Sequence, residues 1–408
     1  MDYNLRQHCH VNTNIDKDCF VGLKVNSDSA LIYFPAGYQL SNTQKELRGD
    51  INNLIQILYT FQKKYDSYNH DLQKLITVNF PVQAYLTIIK DFLKQERYFN
   101  ESETVFKKKD MGKIDWKRTI KSIFPLINKS NNIVYNEFIT RESINSNKED
   151  ITNIHKYCVY EAFNKLGWIY SEYLPPKPAH TIPASKAIRI LNKYLQKTNN
   201  DYKKNILVAM KNIILYKNNQ DHTPNLSLGT EYFEYIWQEM IDEAFGIKNK
   251  NEYYPYTKWN LTYSFNEKIN QPLQPDSIMI FDNTIFILDA KYYKYGITGL
   301  SKHLPTSVDI NKQITYGEYI DISKNYPSNK IYNCFIIPYN KQNNIFNSED
   351  EFLNIGEATA SWKNSKNKPY EHIQGILLDT KYLMENYNKT HNTILKEKLY
   401  NCILGNKD

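Results

Sequence analysis

Hydrophobic positions along the chain follow two periods, and the switches between them mark out the elements. Phe20–Val25 and Ala30–Phe34 read as a β-hairpin around Asn26-Ser-Asp-Ser29. Helical spacing takes over from about Thr43 to Tyr65 and from Pro81 to Arg97, and returns at about Ala184–Gln196 and Tyr202–Tyr216. Gly229–Phe245 carries a strong amphipathic stripe, with Phe233, Ile236, Trp237, Met240, Ile241 and Ala244 on or near the face to be buried. Glu231, Glu234 and Gln238 share another face by i+3 and i+4 spacing. Two apolar runs, Ser277–Phe281 and Thr284–Ala290, are broken only by Asp282-Asn283 and predict strands joined by a tight turn. Ile331–Pro338 and Ile373–Leu378 predict further strands, so the expected fold is α/β, a mixed central sheet flanked by helices behind an α+β N-terminal region.

The clearest interruption is Leu174-Pro-Pro-Lys-Pro-Ala-His-Thr-Ile-Pro183, where repeated proline removes backbone donors and disfavours helix. The expected organisation is therefore an N-terminal α+β region over 1–105, a helical connecting region with the proline-rich linker over 106–183, and a domain over 184–408 that holds the whole predicted sheet.

The hairpin carries the chemistry. With Asp282-Asn283 as the turn, Phe281 pairs with Thr284 and, counting outward, Asp276 falls opposite Asp289. Directly opposed residues of an antiparallel ladder have Cβ atoms roughly 5 Å apart, and two carboxylates at that distance repel. A divalent cation between them removes the cost. Side chains alternate along a strand, so Lys291 emerges on the face of Asp289 while Leu288 and Ala290 point the other way. Hard carboxylate oxygens suit Mg²⁺ in an open octahedral site, and a neighbouring ammonium can orient water or stabilise developing negative charge. Phosphodiester hydrolysis needs these parts.

The chain contains a control for accidental D-x-K patterns. Leu378-Asp379-Thr380-Lys381 also follows an apolar run, but no Pro-Asp hairpin precedes it and a helix pattern follows, so Asp379 is expected to be an N-cap. Thr306-Ser-Val-Asp309 resembles a capping box opening a helix through Tyr316 and Ile320, with Gln313 and Tyr316 on one side. His155, in a helix with Ile151, Ile154 and Cys158, reads as a packed histidine. The densest basic stretch, Lys107-Lys108-Lys109 with Trp116, Lys117, Arg118 and Lys121, fits either a phosphate-tracking surface or a solvated helix face.

Gln274-Pro275-Asp276 followed by Leu288-Asp289-Ala290-Lys291 matches the PD-(D/E)xK nuclease motif. The runs Leu288-Asp-Ala-Lys-Tyr-Tyr293, Leu304-Pro-Thr-Ser-Val-Asp309 and Lys312-Gln313-Ile-Thr-Tyr316 resemble the LlaJI family of restriction endonucleases, as do Gly112–Lys121 and Ile151–Tyr157. The resemblance spans roughly residues 100 to 330. It implies a PD-(D/E)xK core in the C-terminal domain and Mg²⁺-dependent DNA cleavage at Asp276, Asp289 and Lys291, with Gln313 in support and Mn²⁺ as a substitute ion. A glutamate on the helix before the hairpin is a common third metal-side carboxylate in this nuclease class; Glu234 is the choice over Glu231. More distantly, the helix around Phe233-Glu234, the hairpin and the glutamine-bearing helix look like the nuclease subunit of McrBC-type systems, in which a separate GTP-driven motor works with the nuclease.

Composition narrows this further. A net charge of +7 with pI near 8.8 makes DNA contact the work of a local patch. The 34 tyrosines fit an A·T-rich coding bias better than a stacking platform. Five scattered cysteines argue for a reducing cytoplasm, and His8-Cys9-His10 with Cys19 lacks the second half of a zinc site. No apolar stretch is long enough to span a bilayer, and no signal peptide or Gly-x-x-x-x-Gly-Lys-Ser/Thr loop is present, so a motor would be another chain. The expectation is a cytoplasmic restriction endonuclease acting on double-stranded DNA, assembled as a dimer or more for double-strand cuts. The alternatives are an accessory subunit that stimulates a GTPase motor, and a recombination or repair nuclease.

Overall fold

The computed structural model describes all residues except 1–3, 16–17, 26–29, 69–76, 101–102, 110, 128–131, 145–149, 219–225, 264–267, 389–392 and 406–408. The expected turn Asn26–Ser29 thus lies outside the described residues. The chain forms two compact units, Met1–Asn79 with Pro224–Asp408, and Phe80–Thr223.

The elements around the hairpin belong to the first unit. They are helix α1 (Phe233–Phe245), strands β1 (Ser277–Phe281) and β2 (Thr284–Ala290), helix α2 (Ser307–Ser323), strands β3 (Ile331–Tyr339), β4 (Phe352–Ala358) and β5 (Ile373–Asp379), and helix α3 (Thr380–Asn386). The sheet order is β1-β2-β3-β5-β4. β1–β2 and β4–β5 pair antiparallel, whereas β2–β3 and β3–β5 pair parallel. The sheet is therefore mixed, as its strand pattern implied. Asp282 and Asn283 take φ of 45° and 52°, the left-handed pair that a two-residue hairpin turn demands and that Asp and Asn tolerate. Phe281 pairs with Thr284 and Ser277 with Leu288, the register expected from the sequence.

Alternation on this hairpin builds the core beneath the site. Ile278, Ile285 and Ile287 join Tyr316 and Ile320 of α2, Ile331 of β3 and Tyr370 in one fully buried cluster. Each such aliphatic side chain contributes about 1.5–3 kcal/mol by leaving water. Trp237 of α1 is buried and donates its indole N–H to the carbonyl of Ile336, 3.3 Å away, which fixes α1 against β3. β4 was not anticipated; its run Phe-Leu-Asn-Ile-Gly-Glu-Ala mixes polar and apolar positions, and a register shift between Asn354 and Glu357 breaks the alternation.

A second five-stranded sheet lies in the same unit. Its order is Cys9–Val11, Ala30–Phe34, Val21–Val25, Leu226–Thr230 and Thr77–Val78. The strand Leu226–Thr230 corrects the expected helix Gly229–Phe245, which begins instead at Phe233. The reason is close backbone approach. Gly229 pairs with Gly22, whose φ is 144°, and a Cβ at Gly22 would lie 2.2 Å from the carbonyl oxygen of Leu228. Residues from both ends of the chain share this unit: Tyr292 Oη accepts the Ala36 N–H at 2.7 Å, and Lys381 pairs with buried Asp50 at 2.8 Å.

The second unit packs helices Val82–Gln95, Asp150–Leu166, Ala184–Lys197 and Asp201–Asn218 on one another, with a small sheet of Glu103–Lys108, Ile139–Ile144 and Lys113–Ile114. The proline-rich segment lies inside this unit, so these contacts divide the chain elsewhere than at 105 and 184. His155 is fully buried, accepts the Phe99 N–H at 2.9 Å, and is pushed down to about 4 by burial. In the basic stretch, Lys108 pairs with Glu137 at 3.0 Å and the Arg118 guanidinium lies over the Phe106 ring. Among the described residues no helix is long and apolar enough to cross a membrane.

Candidate active site

β2 ends at Ala290, and the chain continues beside β3, the Lys291 N–H bonding to the Ile336 carbonyl at 2.9 Å. This holds Lys291 in extended register one alternation beyond Asp289. The Lys291 ammonium lies 2.8 Å from Asp289 Oδ2 and 2.8 Å from Asp309 Oδ1. Asp289 is buried and the lysine is only 16% exposed at its side chain. Burial alone would lower the lysine pKa, but the two carboxylates outweigh it and hold the ammonium well above the ordinary lysine range. Lys291 is therefore a fixed positive charge at neutral pH.

Asp276 sits immediately before β1, where continuing the observed register places it across from Asp289. Its Oδ2 accepts the Ala290 N–H at 2.8 Å, and its Oδ1 accepts from Gln238 Nε2 at 2.6 Å. Burial first, and then the charge of Asp289, push its carboxyl up to about 7 from an ordinary 3.8. Such a pair of facing carboxylates resists holding two negative charges and gains from a cation between them. Lys250 donates to the Asp276 carbonyl at 2.7 Å and pairs with Asp242 at 2.7 Å, which ties the strand entry to α1.

The remaining expected residues are placed as follows. Gln313 of α2 is fully buried; its main-chain oxygen accepts from Asn333 at 2.8 Å, while its side-chain Oε1 and Nε2 have no protein partner. Tyr316, one turn later, is buried with its hydroxyl unpartnered, and its pKa is raised by burial and by the charges of Asp289 and Asp276. Glu234 lies exposed in the first turn of α1. The residue of that helix hydrogen-bonded to Asp276 is Gln238, one turn further along the same face. Asp379 caps α3, its Oδ1 accepting the Tyr382 N–H at 2.8 Å, as its sequence context implied.

Two site residues carry no signal of chemistry in the sequence. Gln238 was visible only as a face-mate of Glu234. The sequence pattern marks Asp309 only as half of a capping box, and it is that: its Oδ2 accepts from Thr306 N at 2.8 Å and from Thr306 Oγ1 at 2.9 Å. Its other oxygen meets Lys291. Nothing local in the sequence signals the second contact, because it depends on the parallel crossover that brings α2 back over β2.

Among the described residues no three His, Cys, Asp or Glu side chains are grouped to enclose a metal. The Asp276–Asp289 pair would thus leave most of an ion's coordination shell to water and substrate oxygens, the arrangement Mg²⁺ takes in phosphate chemistry.

The sequence profile of the LlaJI restriction endonuclease family matches residues 20–362. A Bacillus subtilis (strain 168) protein described as the YdjA component of the Type II restriction enzyme BsuMI is 26% identical over 333 residues, covering 74% of this chain and 70% of the relative. Among solved structures, a half-complex from a tetradecameric assembly of Thermococcus gammatolerans McrB AAA+ hexamers with bound McrC aligns over 92% of this chain and 83% of the other, at 16% identity and a TM-score of 0.33. At that score the last likeness bears on neither fold nor function.

Proposed function

This chain belongs to the LlaJI restriction endonuclease family, and on that premise we propose that it is the Mg²⁺-dependent DNA-cleaving subunit of a prokaryotic restriction system. The observation that carries the reading is the facing pair Asp276 and Asp289 with Lys291 on the same face, 2.8 Å from Asp289. Asp276 and Asp289 would hold the ion; Glu234, exposed in the first turn of α1, is not grouped with them. When bound, Mg²⁺ supplies a polarised phosphate and a more acidic water.

The chain's own groups do the rest. The Ala290 N–H and Gln238 amide fix both oxygens of Asp276, so its lone pairs are aimed before substrate arrives. Lys291, held protonated, stabilises the extra negative charge of the pentavalent phosphorane rather than removing a proton. Gln313 and Tyr316 bring an unpartnered amide and hydroxyl to the helix that borders the pair, which suits them to a water or phosphate oxygen.

A motor in trans is part of the proposal. The B. subtilis relative is described as one component of its enzyme, and this sequence has no phosphate-binding loop of its own. The motor is expected to be GTP-driven, and two such active sites must meet to cut both strands. The test is cleavage of methylated and unmethylated plasmid in Mg²⁺, Mn²⁺, Ca²⁺ or excess chelator, with and without the product of a neighbouring motor gene and GTP. Cleavage in Mg²⁺ and Mn²⁺, but not in chelator, is expected. Cleavage that persists in chelator rules the mechanism out.

A further inference from the structure

We propose that Asp309 is a positioning residue for Lys291, using the N-cap of α2 as a rigid anchor to hold the ammonium at the scissile phosphate. The inference rests on the nuclease reading of the site. Asp309 spends its two oxygens on different tasks. Oδ2 takes the Thr306 N–H and hydroxyl, at 2.8 and 2.9 Å, and Oδ1 takes the Lys291 ammonium at 2.8 Å. A carboxylate in the first turn of a helix is favoured by the helix dipole, and the capping box removes its remaining rotational freedom. Its pKa is lowered: burial raises it, but bonds to Lys291 and Thr306 outweigh burial, so the carboxylate stays ionised.

The consequence lies in the lysine's donors. An ammonium has three N–H bonds. Asp289 and Asp309 take two of them from different elements, which fixes the direction of the third. Without Asp309 the flexible four-carbon side chain would keep Asp289 as its remaining carboxylate partner and would be free to turn about that single contact. Asp309 thus shares the ammonium with Asp289 and limits how far it can swing. A misplacement of about 1 Å in such a group can cost on the order of a hundredfold in rate.

Separating the two jobs of Asp309 gives the experiment. Asp309→Asn keeps a side-chain oxygen for the Thr306 cap but removes the charge that holds Lys291. Thr306→Ala weakens the cap but leaves the charge. With full-length protein and saturating plasmid in Mg²⁺, Asp309→Asn should lower the single-turnover rate by about ten- to a hundredfold, with DNA affinity in Ca²⁺ little changed. Asp309→Glu should recover part of that rate. Thr306→Ala, which keeps the Asp309 charge and the Thr306 N–H bond, should lower the melting temperature and cost less rate than Asp309→Asn. A readout independent of catalysis is a metal-free double-mutant cycle, in which the effects of Asp309→Asn and Lys291→Met on unfolding should be non-additive. The cycle also decides the matter if Asp309→Asn is too unstable to assay, with Asp309→Ser taking its place.

Additive stability effects, or wild-type cleavage by Asp309→Asn while Asp276→Ala is inactive, would overturn the role of Asp309 and leave the nuclease assignment standing. Wild-type cleavage by Asp276→Ala as well would overturn both.

Discussion

Replacing Asp276 by Asn should make the metal-free protein more stable while abolishing its chemistry. A carboxyl pushed up to about 7 instead of 3.8 is penalised when ionised, and a difference of that size corresponds to about 4 kcal/mol. The sign follows from linkage. In the unfolded chain the group ionises near 3.8, whereas in the fold it keeps its proton until about 7. The favourable contribution is therefore complete below pH 3.8 and is lost as pH rises to 7, so the penalty is full at pH 8 and small near pH 5. Asn carries no charge, and its oxygen can accept the Ala290 N–H while Gln238 turns its amide oxygen to the new NH₂ group. Allowing for relaxation of the pair, Asp276→Asn should gain about 2–4 kcal/mol at pH 8 in EDTA and about 1 kcal/mol at pH 5. Urea denaturation at the two pH values measures this directly. Added Mg²⁺ should raise the stability of wild type and not that of the variant, because ligand binding stabilises only a fold that retains the site. An Asn variant no more stable than wild type at pH 8 in EDTA would refute the claim that burial and the facing Asp289 penalise the ionised Asp276.

Two further expectations concern the frame around the site. Asp379→Ala loses the cap of α3 and a bond to the Lys341 N–H, and should cost about 1–2 kcal/mol in denaturation while leaving cleavage near wild type; a large loss of activity at unchanged stability would return this second D-x-K to the chemistry. A chain beginning at Ala184 lacks Val21–Val25, the pairing partner of Leu226–Thr230, and also lacks Ala36 and Asp50; it should unfold without cooperativity, whereas one joining 1–79 to 224–408 should fold, and a cooperative transition in the 184–408 piece would contradict the observed division.

What was legible beforehand was local or carried by a short register. Asp282-Asn283 fixes the hairpin turn, and once the turn is fixed alternation dictates which side chains share a face, so the relation of Asp276, Asp289 and Lys291 could be counted out from the sequence. The capping box at Thr306 and the cap at Asp379 are likewise four-residue patterns. What escaped depends on distant pairing. Leu226–Thr230 is a strand because it meets Val21–Val25 some two hundred residues away, and Gly229 reads locally as the start of a helix. Asp309 reaches Lys291 only because β2 and β3 run parallel with α2 between them in the chain. β4 hides behind a break in its own alternation.

If Asp276, Asp289 and Lys291 form one hydrolytic centre, the single-turnover rate of plasmid cleavage by Asp289→Asn must report it. Asp289 contacts Lys291 and faces Asp276, so removing its charge should slow cleavage by about a thousandfold while DNA binding in Ca²⁺, expected to rest on phosphate contacts elsewhere, stays within about twofold. Cleavage by Asp289→Asn at the wild-type rate in Mg²⁺ would place the chemistry elsewhere in the molecule.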